Sequence, residues 1–114
     1  MMTFACKRIN KEDLIRCSFS LNKTEYNVLM FLLENEEELS VAEIAKRMNL
    51  ERTTVQKAVK SLVEKDLVRR KQLNMEKGSY VFIYKIKQKK EIKQKLKTII
   101  SEWSEKVEKF ISNI

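Results

Sequence analysis

Arg52, Thr53, Thr54, Gln56, Lys57 and Lys60 are the side chains of this sequence best equipped for recognition chemistry. Thr and Gln exchange hydrogen bonds with base edges, and Lys and Arg reach guanine or phosphate oxygens. Catalytic chemistry is poorly provided for. The chain has no His, a single Gly and two Cys. It holds no glycine-rich phosphate loop, and no Ser or Cys beside a candidate base. The sequence therefore reads as a non-enzyme that needs no cofactor. Cys6 and Cys17 stand 11 residues apart, which matches no common metal spacing, and without His they cannot complete a four-ligand zinc site. Two thiols in a cytoplasmic chain are ordinarily reduced and structural, a redox switch being the sharper alternative. The acidic run over residues 34–38 reads as a solvated connection rather than a metal site.

Recognition side chains need a rigid carrier, and residues 40–70, SVAEIAKRMNLERTTVQKAVKSLVEKDLVRR, supply one. The stretch reads as two short helices joined by a tight turn and running into a strand. Ser40 and Glu43 form an S-x-x-E capping box that opens the first helix. Val41, Ile44, Ala45 and Met48 fall on one face of it, and Asn49 with Leu50 makes the turn. The second helix is expected over residues 52–65. Val55, Ala58, Val59, Leu62 and Val63 share its apolar side at i, i+3, i+4, i+7 spacing. Thr53, Gln56, Lys57, Lys60 and Glu64 occupy the other. A short polar helix held across another is the geometry that fills a DNA major groove, about 12 Å wide. The bland reading is an αα-hairpin with a solvated basic face.

The flanking chain fits round this pair. Asn10 caps a short first helix anchored by Leu14 and Ile15 and ending near Cys17 or Ser18; residues 1–9 look irregular. Asn22 and Glu25 cap a second helix in which Tyr26, Leu29, Met30 and Leu33 share a face widened by Val28, Phe31 and Leu32. So apolar a helix belongs at the centre of the fold. Leu39 is placed to pair with a later hairpin. That hairpin spans residues 67–73 and 80–86, the second strand alternating Tyr80, Phe82, Tyr84 and Ile86 with Val81, Ile83 and Lys85. Gly78 supplies the positive φ of its turn. Arg69, Arg70, Lys71 and Lys77 charge this wing where phosphates or a minor groove would lie. From residue 88 to 114 the pattern is one helix of roughly 40 Å. Ile92, Leu96, Ile99, Trp103, Val107, Phe110 and Ile114 advance by 4, 3, 4, 4, 3 and 4 residues, close to a heptad seam, with Ile100 and Ile111 beside it. A small domain cannot bury all of that stripe. Dimerisation is the expectation, and packing onto the protein's own first helix the alternative. Trp103 and Phe110 read as packing residues rather than the wall of a ligand cavity.

Composition sets the bounds. A chain of 114 residues, 43% hydrophobic and 35% charged, suits one globular domain. No apolar run approaches the roughly 20 residues of a membrane span. The first residues lack the apolar core of a signal peptide, so a cytoplasmic location is expected. The formal net charge of +8 is unevenly spread. Residues 46–72 carry nine basic and three acidic side chains, and residues 85–114 carry nine and four. A polyanion is the natural partner for that footprint.

From residue 21 to 85 the sequence resembles the winged helix-turn-helix of MarR-type and TrmB-like transcriptional regulators, common in archaea. Leu21-Asn-Lys-Thr-Glu25-Tyr26, Ser40-Val-Ala-Glu-Ile-Ala45, Thr53-Thr-Val55 and Ser61-Leu62-Val-Glu-Lys-Asp-Leu67-Val68 carry the likeness. It implies a mainly α fold with a small β-hairpin and a long C-terminal dimerisation helix. Three segments follow: an N-terminal extension with a short helix (1–20), the winged DNA-binding domain (21–87) and the dimerisation helix (88–114). It implies a homodimer that binds double-stranded DNA sequence-specifically. Arg52, Thr53, Thr54, Gln56, Lys57 and Lys60 would meet the major groove, and Arg70, Lys71 and Lys77 the backbone or minor groove. Ile92, Leu96, Ile99, Trp103, Val107, Phe110 and Ile114 would form the dimer interface. The alternative is a winged helix serving as a protein-interaction module in a transcription or chromatin complex. Two departures stand out. Asp66 replaces the usual Gly at the left-handed end of the recognition helix, and only one helix follows the wing, so a sugar effector has no support.

Overall fold

A computed structural model describes residues 2–3 and 8–114, with only the backbone course at 2, 3, 8 and 9. Where irregular chain was expected at the N-terminus, β1 (Met2–Thr3) and β2 (Arg8–Ile9) pair antiparallel. Five helices and three further strands follow: α1 (Lys11–Phe19), α2 (Lys23–Glu34), β3 (Leu39–Ser40), α3 (Val41–Met48), α4 (Arg52–Glu64), β4 (Val68–Asn74), β5 (Tyr80–Ile86) and α5 (Lys89–Ser112). The chain divides into two compact units, Asn22–Lys87 and the combination of Met1–Leu21 with Gln88–Ile114. Among the described residues no helix is long and apolar enough to cross a membrane.

Helix starts follow the expected caps. Asn10 accepts from the Asp13 N–H at 2.8 Å. Asn22 and Glu25 exchange side-chain and backbone bonds, both at 2.8 Å. Ser40 and Glu43 do the same at 3.1 and 3.2 Å. Each box satisfies two N–H groups that a helix start leaves open.

The helix ends share a device expected only at Asp66. Ser20, Asn49 and Asp66 all take left-handed conformations, with φ of 56°, 56° and 62°. Each is followed by a leucine whose N–H bonds the carbonyl five residues back: Leu21 to Arg16, Leu50 to Ala45 and Leu67 to Leu62. This is the Schellman closure, in which the residue after the left-handed position also makes an apolar contact. Leu21 and Leu67 are buried and Leu50 half-buried. The apolar anchor explains why three non-glycine residues hold a conformation that ordinarily favours glycine.

In the unit Asn22–Lys87 the core is drawn from every element. Val28, Leu29, Leu32, Ile44, Val55, Val59, Leu62 and Leu67 are almost wholly inaccessible. The buried stripe of α2 runs through Val28, Leu29 and Leu32, while Tyr26, Met30, Phe31 and Leu33 are half-buried, so the face named from spacing is displaced by part of a turn. β3, β5 and β4 lie side by side in that order. Leu39 pairs with Tyr84, as its placement suggested, and Ser40 joins it opposite Ile83. Near the end of β5 both faces of the strand are covered, since Ile83 is buried as well as Tyr84 and Ile86. In the other unit α1 packs on α5. α1 runs to Phe19, past the expected stop, because that buried ring and the Ser20 closure end it.

Candidate functional site

The exposed side of α4 is the first part of the site. Arg52, Thr53, Gln56, Lys57 and Lys60 are exposed and Thr54 is half-buried. Val55, Ala58, Val59 and Leu62, on the other side, are buried and fix the rotation of the helix. Val63, grouped with them from spacing, is only half-buried. α3 packs across α4, and α2 supports it from behind.

Glu25 ties α4 down. Its carboxylate caps α2 and lies 4.0 Å from the Lys65 ammonium beyond the end of α4. Burial works against its charge, but the Ser61 hydroxyl, the Asn22 N–H and the Lys65 ammonium outweigh it and hold the carboxyl below its ordinary value. Asp66, the departure at the end of α4, also has a local role. Its left-handed backbone turns the chain into β4, and its carboxylate pairs with Lys87 just after β5. A glycine would make the same turn but not that link. Neither Glu25–Ser61 nor Asp66–Lys87 was foreseen from the sequence; the pairs are far apart along it, and only the closed fold brings them together.

The wing is the second part. β4 and β5 pair from Val68 with Ile86 to Asn74 with Tyr80. Beyond that a single 3-10 turn, Glu76–Gly78, closes the tip. Gly78 has the expected positive φ of 80°, and Lys77 joins it at 65°. Arg70, Lys71 and Lys77 are exposed. Adjacent strand residues project to opposite faces, so Arg70 and Lys71 address different sides of the hairpin. Arg70 lies over the Phe82 ring at 4.6 Å, and Tyr80 meets the same ring edge-on at 5.5 Å. Phe82 was not named from the sequence as a support for Arg70. The register supplies the signal, since Phe82 is the diagonal neighbour of the Arg70–Tyr84 pair.

A family model described as the MarR family matches residues 19–73. The uncharacterized protein MJ1082 of Methanocaldococcus jannaschii is 38% identical over 98% of this chain and 94% of its own length. Among solved structures, a possible transcriptional regulator of Methanosarcina mazei Go1 superposes with a TM-score of 0.93 at 33% identity, covering 99% of this chain and 95% of that one. The chain belongs to the MarR family. A protein of the thermoacidophilic archaeon Sulfolobus tokodaii has a TM-score of 0.70 at 26% identity, over 85% of this chain and 94% of that one. A Staphylococcus aureus MepR mutant bound to an oligodeoxyribonucleotide shares the fold at a TM-score of 0.57 and 18% identity, over 91% of this chain and 73% of that one. The winged-helix architecture expected from the sequence is therefore that of MarR-family regulators, archaeal ones included.

In this MarR-family chain the α5 stripe, which belongs to the other unit, is divided by burial. Ile92 is buried, and Leu96, Ile99 and Val107 are half-buried. Trp103, Phe110 and Ile114 are 55%, 73% and 95% exposed, so the aromatics are not core within a single chain. The seven seam residues thus do not act as one surface, because part of the stripe is covered where α1 packs on α5. Cys17 is an exposed free thiol. Cys6 lies outside the described residues, and so does the redox-switch alternative that involves it.

Proposed function

We propose that the protein is a transcriptional regulator that binds double-stranded DNA sequence-specifically as a homodimer in the cytoplasm, without catalysis or a cofactor. One observation carries the reading: α4 is rotated by its buried side so that Arg52, Thr53, Gln56, Lys57 and Lys60 all face solvent. That face offers amide, hydroxyl and cationic groups at the width of one helix, which suits a major groove. Family membership supports it, as do the charged wing residues Arg70, Lys71 and Lys77, which would meet the backbone or minor groove. In this reading residues 21–87 bind DNA, residues 1–20 are an extension with a short helix, and residues 88–114 hold two copies together. Ile92, Leu96, Ile99, Trp103, Val107, Phe110 and Ile114 belong to that last segment; the exposed members, Trp103, Phe110 and Ile114, make the contact between subunits.

The test is selection of duplexes from a random-sequence pool by the purified chain. The expected product is a pair of related half-sites whose centres lie roughly 34–36 Å apart, one turn of DNA. A pool that emerges unenriched, with no shift of mixed genomic fragments at low salt, overturns the reading and favours a protein-interaction module.

A further inference from the structure

The winged unit does not account for all the basic charge. Over residues 89–101 of α5 there are five lysines and one acid, Glu91. Lys90, Lys93 and Lys97 are all exposed, as are Gln94 and Ser101. At 3.6 residues per turn these five fall on a single side of α5, with Lys90 and Lys97 two turns apart on nearly the same line. Glu91 points about a quarter-turn away from that line. The opposite side at this level carries Ile92, Leu96 and Ile99, buried or half-buried. The exposed aromatics, Trp103 and Phe110, come later along the helix. At the level of the lysines the surface α5 offers is therefore mainly charged and polar, with Ile100, 38% exposed at the far end of this stretch, its one exposed large apolar side chain.

We infer that Lys90, Lys93 and Lys97 form a second phosphate-contacting face, which binds the backbone of double-stranded DNA without reading its sequence. The inference rests on the proposed DNA-binding role. Charge complementarity selects the occupant. An anionic bilayer would also attract lysines, but interfacial helices need an apolar face at the same level as the charge, and here that face is covered. A duplex needs no apolar contact, since it presents a negative charge about every 1.7 Å of its axis. Lys90 to Lys97 spans about 10 Å at 1.5 Å per residue, enough for each ammonium to meet a separate phosphate. Gln94, between them, can donate to phosphate oxygens as neutral amides do.

The experiment measures fluorescence anisotropy of a labelled mixed-sequence duplex with the full chain over a range of salt. It compares the native protein, a Lys90→Gln, Lys93→Gln, Lys97→Gln variant, the matching triple Lys→Arg variant, and Lys57→Ala with Lys60→Ala. Each lost phosphate contact lowers the slope of log K against log salt by roughly 0.9. The Gln variant is expected to lose roughly two to three units of slope, equally on every sequence, with unchanged circular dichroism. The Arg variant is expected to keep the native slope. A native slope in the Gln variant, with a reduced one in the Lys57, Lys60 variant, overturns this second face and leaves the α4 reading standing. Absence of duplex binding by the native chain overturns both. Binding of the native chain to phosphatidylserine vesicles that the Gln changes abolish, with duplex binding untouched, also overturns it, in favour of a membrane.

Discussion

At the scale of single residues, the proposed DNA-binding role would divide the labour on α4 between charge and hydrogen bonding. Lys57 and Lys60 carry mobile cations on an exposed face, so they suit phosphates; Thr53 and Gln56 carry directional groups, so they suit bases. Replacing Lys57 and Lys60 together by Ala is expected to weaken binding to all DNA and lower the salt slope by roughly 2. Gln56→Ala is expected to change which sequence is preferred. Titration against a panel of duplexes separates the two outcomes. Glu25 belongs to the same scale but acts on stability. Its carboxyl is held below the ordinary value of 4.5, so its contribution is fully present above that pH and is lost as pH falls through the lowered value. Glu25→Gln is expected to cost about 1–2 kcal/mol at neutral pH. The gap between variant and native should close on acidification below pH 4.5, as read by urea melts at several pH values. A gap that stays constant would mean that Glu25 contributes through packing alone.

At the scale of elements, the question is what the wing adds. Every β4 residue after Val68 is exposed, so the outer hairpin contributes little to the core. Its order comes from the ladder with β5, the Met75 N–H to Ser79 carbonyl bond of 2.7 Å at the tip, and the stack of Arg70 on Phe82. Replacing residues 74–78 by a two-residue turn should leave thermal unfolding nearly unchanged and reduce DNA affinity. The loss expected is that of Lys77 and whatever it touches, about one unit of salt slope. Undiminished affinity in a folded variant would show the hairpin to be structural only.

At the scale of the whole molecule, the proposed reading makes affinity and specificity depend on pairing. One recognition helix covers too few base pairs to mark a genomic site, and two joined half-sites supply the missing discrimination. Burial of a large apolar side chain contributes roughly 1.5–3 kcal/mol. Trp103, Phe110 and Ile111 on α5 and Ile114 just beyond its end, all exposed, together offer enough to offset the entropy of association. Trp103→Asp with Phe110→Asp is expected to give a monomer in sedimentation, with the winged unit still folded and DNA binding weak and indifferent to sequence. A native chain that sediments as a monomer at tens of micromolar yet binds one sequence specifically would overturn the dimer.

Local rules carried much of this far without tertiary information. The capping boxes at Asn22 and Ser40, the buried side of α4, the hairpin and the long last helix each follow from spacing within a few residues, where propensity and periodicity act. The family likeness was visible for the same reason, since its motifs are those caps and periodic positions. Tertiary structure decided what depends on a neighbour. It rotated the buried stripe of α2 towards Val28, Leu29 and Leu32, and covered both faces of β5 near its end, so that Ile83 is buried along with Tyr84 and Ile86. It joined Glu25 to Ser61 and Asp66 to Lys87 across gaps that no local pattern spans. It also divided the α5 stripe. Apolar spacing says only that a face wants to be buried; how much of it one chain covers depends on what packs on it, as α1 does on α5.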